Sequence, residues 1–242
     1  MSEDIELAAK VHYSFLPEDY EDDRASIAVT LRPLYTIGGD YCGILSLDES
    51  RILITTCDAV GHGTSAALFA ARVNTYVLTH AHVGLNPCDL VTGLNSYLCN
   101  RLGETGIYTT FYALLLDFDA GTMTFTGAAH PPVIQFDQDE MKCHEWPSNA
   151  TYLGIMDPMP ILCGSERVPL HAGHRFLLYS DGLIEVQGTD QQLFGTERLS
   201  QTLVENIKLS GQALNKAILE RAESFACSGF EDDVLLMSVE IK

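Results

Sequence analysis

Two short apolar segments on either side of an acidic turn constrain this chain more than any other feature. Residues 44–47 and 52–56 flank Asp48-Glu49-Ser50, the pattern of a β-hairpin. If the turn centres on Glu49, antiparallel partners carry numbers summing to about 98. Asp40 and Asp58 meet that condition and fall side by side at the open end of the hairpin. Opposed residues have Cβ atoms only about 4.5–5.5 Å apart. Two carboxylates that close repel each other unless a proton or a cation intervenes, and hard divalent cations favour oxygen ligands. A single aspartate beside glycine is ordinarily a turn residue. An opposed pair, one preceded by Gly38-Gly39 and the other followed by Ala59-Val60-Gly61-His62-Gly63, is harder to explain that way.

The rest of the chain alternates runs of strands with helical pairs. Helical spacing appears over residues 4–16, 64–81, 89–102, 196–208 and 212–226, with Pro17 a stop signal for the first. Strand patterns cover residues 26–34, 110–117, 123–128, 133–136, 175–180 and 234–241, and the proline-bearing stretch between 136 and 175 reads as loop. This order predicts an α+β layered domain, not strict β-α alternation. At 242 residues, 46% of them hydrophobic, the chain suits one sizeable globular domain. The net charge of −19 disfavours nucleic acid or an anionic membrane as partner. No apolar run reaches the ~20 residues of a membrane span and the N-terminus is acidic, so a soluble, cytoplasmic protein is expected. The seven cysteines are scattered without a C-x-x-C pair, which predicts reduced thiols.

Two further carboxylate groups adjoin strands. The apolar residues 176–180 run into Asp181-Gly182, and Glu231-Asp232-Asp233 immediately precedes the strand from 234. If those strands are antiparallel, the end of one meets the start of the other at the same sheet edge. Parallel strands would separate them.

Gly38-Gly39-Asp40-Tyr41, Asp58-x-x-Gly61-His62-Gly63, Ala128-Ala129-His130-Pro131-Pro132, Tyr179-Ser180-Asp181-Gly182-Leu183-x-Glu185 and Asp232-Asp233-Val234 occur in that order. Together they resemble the SpoIIE-like, bacterial sporulation and stress-response branch of the PPM (type 2C) protein serine/threonine phosphatases. Phe15-Leu16-Pro17 and Leu193-Phe194-Gly195-x-x-Arg198-Leu199 are lesser matches, and the likeness runs from about residue 9 to residue 240. One such motif is weak; five in order are specific.

The resemblance implies a central antiparallel β-sandwich flanked on both faces by helix pairs, spanning residues 18–242 after a connector helix at 1–17. It implies two Mn²⁺ or Mg²⁺ ions. Asp58 would bridge them, Asp40 and the Ala59 carbonyl would serve the second, Asp181 and Asp232 the first, and Asp233 would be secondary. The implied reaction is hydrolysis of phosphoserine or phosphothreonine by a metal-activated water. The implied substrate is a phosphorylated regulatory protein such as an anti-sigma-factor antagonist. An upstream sensory domain or a homodimer through the N-terminal helix would be a further partner. Two positions depart from the family pattern. Gly43 stands where many relatives carry a further Asp, and Leu235 where a small hydroxyl residue is usual. These departures allow an alternative, a catalytically weak relative that binds phosphoproteins as a regulatory module.

Among the histidines, His62 is a candidate proton donor or support for a ligand, and His130 reads as a packed turn residue. His80 and His82 sit near a helix end, while His171 and His174 flank a turn without a recognisable third ligand. No G-x-S-x-G elbow exists, so serine hydrolase chemistry is not supported. Tyr41-Cys42 replaces the residues that a cyclic-dinucleotide synthase would need after Gly38-Gly39-Asp40.

Overall fold

The structure is a computed structural model, and it describes residues 2–61, 63–163 and 167–242. In chain order its elements begin with α1 (Ser2–Tyr13), β1 (Tyr20–Glu21), β2 (Ala25–Arg32), β3 (Asp40–Ser46), β4 (Arg51–Ala59), α2 (Thr64–His80) and α3 (Pro87–Leu102). The middle of the chain gives β5 (Thr109–Asp117), β6 (Thr122–Ala128), β7 (Val133–Asp137), β8 (Lys142–Trp146) and β9 (Val168–Pro169). The last part gives β10 (Arg175–Tyr179), α4 (Asp181–Ile184), α5 (Gly195–Glu205), α6 (Gly211–Phe225) and β11 (Val234–Ile241). The fold is α+β with two antiparallel sheets. No described helix is long and apolar enough to cross a membrane.

The chain divides into two compact units. The first comprises Met1–Pro17, Tyr35–His130 and Pro147–Leu170. Its sheet has the order β3-β4-β5-β6-β9. Odd-numbered positions of β4, Leu53 and Cys57, pack with Tyr41, Phe111 and Ala113 against α2 and α3. The helices present Phe69, Ala70, Val73 and Val77 from α2 and Leu90, Val91, Leu94 and Leu98 from α3. Pro87 stands in the first turn of α3, where its missing N–H costs nothing, and the Asn86 side chain accepts from the Cys88 N–H at 2.9 Å. Buried Asn95 bonds both the Met156 carbonyl and the Gly154 N–H, tying the following loop to α3. Helix α1 packs on α2 through Ala9, Ala67 and Ile37.

The second unit comprises Glu18–Leu34, Pro131–Trp146 and His171–Lys242. Its sheet runs β1-β2-β11-β10-β7-β8. Helices α5 and α6 cover one face with Leu199, Leu203, Leu214, Ile218 and Leu219 against Ile134, Phe136, Leu177, Tyr179, Val234 and Leu236. Asn215 is fully buried on α6, and its Nδ2 donates to the Ala28 and Leu236 carbonyls and to Thr30 Oγ1. A polar group here fixes the helix's azimuth and height over β2 and β11, which apolar contacts alone leave free.

The predicted strands and helices are all present, but the stretch read as loop contains β8, which pairs antiparallel with β7. Its sequence, Lys-Cys-His-Glu-Trp, has partly exposed positions and lacks the apolar alternation that marks the others. The expectation of seven reduced cysteines also fails. Cys88 and Cys163 form a disulfide with Cα atoms 5.7 Å apart, in the range the bond requires. The partners are 75 residues apart. They meet because the loop after β8 folds back, with Ala150 bridging Ile161 and Leu162 N–H bonding the Asn149 carbonyl. Local spacing carries no trace of that pairing.

Replacing Asn215 with Ala removes the donor from two buried carbonyls. Its expected cost is about 1–3 kcal/mol, read as a lower urea midpoint at unchanged slope.

Candidate functional site

In the first unit the β3–β4 register is the predicted one. Asp40 pairs with Asp58, Tyr41 with Cys57 and so on to Ser46 with Ile52, each pair summing to 98. Opposed residues share a face, so both carboxylates project on the side of the sheet opposite Tyr41, Leu53 and Cys57, which pack on the helices. Asp40 is 1% exposed and Asp58 half-buried. Their charge is felt nearby. Burial first, then Asp40, pushes the Cys42 thiol above its usual range, and burial, with Asp58 and Asp40 adding to it, does the same to Cys57.

The strand ends are shaped by close backbone approach. A Cβ on Gly39 would lie 2.9 Å from the Ala59 carbonyl oxygen and 3.1 Å from the Ala66 Cβ, so only glycine fits beside Asp40. Gly61 and Gly63 have φ of 103° and 75°, the left-handed region that lets the chain leave β4 and start α2 within a few residues.

Asp58 is positioned by Thr109 and Thr110, which sequence reasoning did not single out, with His130 behind Thr110. The Asp58 N–H donates to Thr110 Oγ1 at 3.2 Å, and its carbonyl accepts from Thr109 Oγ1 at 2.7 Å. Thr110 Oγ1 is also hydrogen-bonded to His130 Nδ1 at 2.7 Å. The other ring nitrogen, Nε2, is hydrogen-bonded to Thr56 Oγ1 at 3.0 Å, so both edges of the His130 ring are held. His130 is 4% exposed, in keeping with a packed turn histidine. Its packing props the backbone of Asp58. The available signal was a histidine followed by two prolines just after β6, in the sheet of which β5 carries Thr109-Thr110.

In the second unit β10 and β11 are antiparallel, with Tyr179 opposite Leu236. The end of β10 and the start of β11 therefore meet at one edge, and Asp181 and Asp232 come together there. The Asp181 carboxyl is pushed up to about 6 by burial, then by the charges of Glu185 and Asp232. A Cβ on Gly182 would strike the Asp233 carbonyl oxygen and lie 3.2 Å from the Asp232 Cβ, which makes glycine obligatory after Asp181. Asp233 is 7% exposed and gives Oδ1 to the Leu34 N–H at 2.7 Å, so part of its work is to hold the chain leaving β2. Glu185, in the quoted motif but not among the predicted ligands, is the additional carboxylate next to Asp181.

The two departures from the family pattern have local causes. Gly43 alternates onto the face opposite Asp40, beside Tyr41, where a Cβ would lie 2.5 Å from the Tyr41 hydroxyl and 2.8 Å from Thr55 Oγ1. The space is taken by the Tyr41 ring, whose hydroxyl bonds Asn74 Oδ1 of α2 at 3.1 Å. Leu235 is fully buried, and the hydroxyl at this junction comes from Ser180. That residue accepts from the Leu235 N–H at 2.9 Å and donates to the Asp233 carbonyl at 3.3 Å. His62 lies outside the described residues. His80 stacks on Tyr76 with ring centroids 3.9 Å apart, a structural role.

The donor sets fit hard divalent cations. One is a pair of carboxylates facing each other across a strand pair, beside a backbone carbonyl. The other is a carboxyl whose charge is resisted by burial and two acidic neighbours.

Two outcomes follow. Between pH ~4 and ~6 the folded protein holds the Asp181 proton that the unfolded chain releases, so the cation-free protein loses stability as pH rises through that window. Asp181→Asn in a chelating buffer is expected to gain about 1–2 kcal/mol at pH 7.5, allowing for partial exposure, and nothing at pH 4; thermal unfolding at the two pH values reads this. Gly43→Asp is expected to lose about 1–3 kcal/mol by displacing Tyr41, measurable by the same method at pH 7.5.

A family model described as Stage II sporulation protein E (SpoIIE) matches residues 48–242. Phosphoserine phosphatase RsbU of Bacillus subtilis (strain 168) is 24% identical over 243 residues, covering 99% of this chain and 70% of RsbU. Among solved structures, the SiaA-PP2C domain of Pseudomonas aeruginosa superposes with a TM-score of 0.81 at 17% identity, covering 100% of this chain and 97% of that one. RsbX, solved in complex with magnesium, gives a TM-score of 0.68 at 14% identity over 93% of this chain and 98% of its own. With the family model matching most of its length, the chain belongs to the SpoIIE family of PP2C-type protein serine/threonine phosphatases.

Proposed function

We propose that this chain uses two divalent cations, Mn²⁺ or Mg²⁺, to remove phosphate from phosphoserine or phosphothreonine on a regulatory protein. The observation that carries this reading is the opposition of Asp40 and Asp58 on one face of the β3–β4 pair. Asp40, Asp58 and the Ala59 carbonyl would hold one ion, Asp181 and Asp232 the other, with Asp233 secondary. When bound, such a pair of ions supplies positive charge against the phosphoryl oxygens and lowers the pKa of water to near neutrality.

The chain's own residues do the rest. Thr109, Thr110 and His130 grip the backbone of Asp58 on both sides, so its carboxylate is presented with little freedom. Gly39 and Gly182 let the backbone come close enough for their neighbouring aspartates to share an edge with a second strand. Asp181 takes up a proton as pH falls to about 6 when no cation faces it, so cation loading at or below that pH releases protons there.

RsbU is named for acting on phosphoserine, which supports the substrate class. A phosphorylated antagonist of an anti-sigma factor fits the sporulation and stress-response branch. The cytoplasm, a homodimer through α1, and a partner or sensory domain acting through that helix belong to the same reading. Gly43 does not favour the binding-module alternative, because its position faces away from Asp40 and Asp58.

Phosphate release from a serine-phosphorylated protein, measured with added Mn²⁺, tests the reading. Wild type should turn over only with the cation, and Asp58→Asn should lose about a hundredfold or more. Partner binding without cation-dependent turnover in wild type would replace the enzyme with the module.

A further inference from the structure

The turn from β7 to β8 gathers chemistry that the phosphatase reading does not use. In the β7–β8 register Gln135 pairs with His144 and Asp137 with Lys142, so Asp137 and His144 are diagonal neighbours on one face. On the other side of β7, Arg175 pairs with Phe136, and the same register brings His174 opposite Asp137. Asp137 thus stands between His144, in the middle of β8, and His174, just before β10.

Asp137 Oδ1 accepts the backbone N–H groups of Asp139 at 2.8 Å and Glu140 at 3.0 Å, which fixes the carboxylate and leaves Oδ2 to other partners. Glu140 Oε2 lies 3.2 Å from His144 Nε2. One ligand atom each from Asp137, Glu140 and His144 lies within 4.8 Å of the others. Two ligands on a tetrahedral ion with bonds of about 2.0 Å stand about 3.3 Å apart, so the Glu140–His144 separation already suits a shared ion.

His174 supplies an independent observation. Its side chain is 3% exposed, and Nε2, aimed at Asp137 Oδ2 from 3.5 Å, makes no hydrogen bond. The proton can be assigned. Trp146 Nε1 donates to Gln135 Oε1 at 2.8 Å, which orients that amide so that its Nε2 donates to His174 Nδ1 at 3.0 Å. The His171 N–H points at the same Nδ1 from 3.3 Å. Nδ1 is therefore the acceptor, and Nε2 presents its N–H to Asp137. That is how an outer histidine orients a metal-binding carboxylate.

We propose that Asp137, Glu140 and His144 form a second cation site, distinct from the aspartates assigned to phosphate hydrolysis, which takes a borderline divalent ion such as Zn²⁺ with His174 orienting Asp137. Two carboxylate oxygens and one imidazole nitrogen match that ion's preference better than Mg²⁺, which favours oxygen ligands alone. The ion joins the end of β7, the turn and β8, and through His174 the approach to β10.

Equilibrium dialysis against Zn²⁺ in excess Mg²⁺ separates this site from all-oxygen sites. Wild type, His144→Ala, Asp137→Asn and His174→Gln are compared, with thermal unfolding in chelator confirming that each folds. The expected result is one fewer bound zinc per chain in His144→Ala and in Asp137→Asn, and roughly 10–100-fold weaker zinc binding in His174→Gln. His144 is partly exposed, so its variant carries the test if Asp137→Asn fails to fold. Zinc-edge anomalous scattering from crystals should show a peak bounded by Asp137, Glu140 and His144. Equal zinc in wild type and His144→Ala, or no peak there, overturns the site and leaves Glu140–His144 an ordinary surface ion pair. Undiminished affinity in His174→Gln overturns the orienting role.

Discussion

The β3–β4 register is the constraint on which the candidate chemistry depends. A slip of one residue would turn Asp40 or Asp58 onto the helix-covered face, among Tyr41, Leu53 and Cys57, where an ionised carboxylate has no compensation. The apolar positions therefore choose the register, and the register places the acids. Like charges in opposition oppose that choice at the open end of the hairpin. The sheet tolerates them because seven consecutive residue pairs hold the ladder, and the cation proposed for this site would reverse the sign of the interaction.

Each unit uses the same device once. An aspartate at a strand terminus is flanked by a glycine whose missing Cβ admits a backbone carbonyl from the adjoining segment: Gly39 against Ala59, Gly182 against Asp233. The carbonyl approach draws two chain segments together, and the carboxylates follow. Small hydroxyl residues then hold the backbones in place, Thr109 and Thr110 around Asp58 and Ser180 between Asp233 and Leu235. Substituting either glycine would therefore disturb the neighbouring aspartate through the main chain, with the acidic side chain itself intact.

Much of this was legible because it is local. The turn at Asp48-Glu49-Ser50 gives the Asp40–Asp58 pairing by arithmetic, and the apolar run into Asp181 gives a strand end. What was not legible depends on segments distant in sequence. Strand β8 lacks alternation and is recognisable only from its pairing with β7, and Cys88 meets Cys163 only after a long loop returns to α3. Gly43 looked like a lost acid, yet its position is governed by the Tyr41 ring and by Asn74, 31 residues later. His174 looked unremarkable because its relation to Asp137 runs through sheet order, not spacing.

The histidines of this chain point to a common physical use. His130 and His174 are both buried, and both rings are held by hydrogen bonds: His130 between Thr110 and Thr56, His174 by Gln135, whose amide donates to Nδ1 and leaves the proton on Nε2. Neither ring is placed to exchange protons with solvent. His130 passes its orientation through Thr110 to the backbone of Asp58, and His174 faces the carboxylate of Asp137. A buried imidazole is well suited to this work, since it is rigid, neutral when desolvated and able to accept on one side while donating on the other. Acidic residues proposed to hold cations would gain from such neutral supports, because a cationic neighbour would satisfy the carboxylate and compete with the metal. Burial of these two histidines thus serves the acids: it supplies directional hydrogen bonds without adding positive charge.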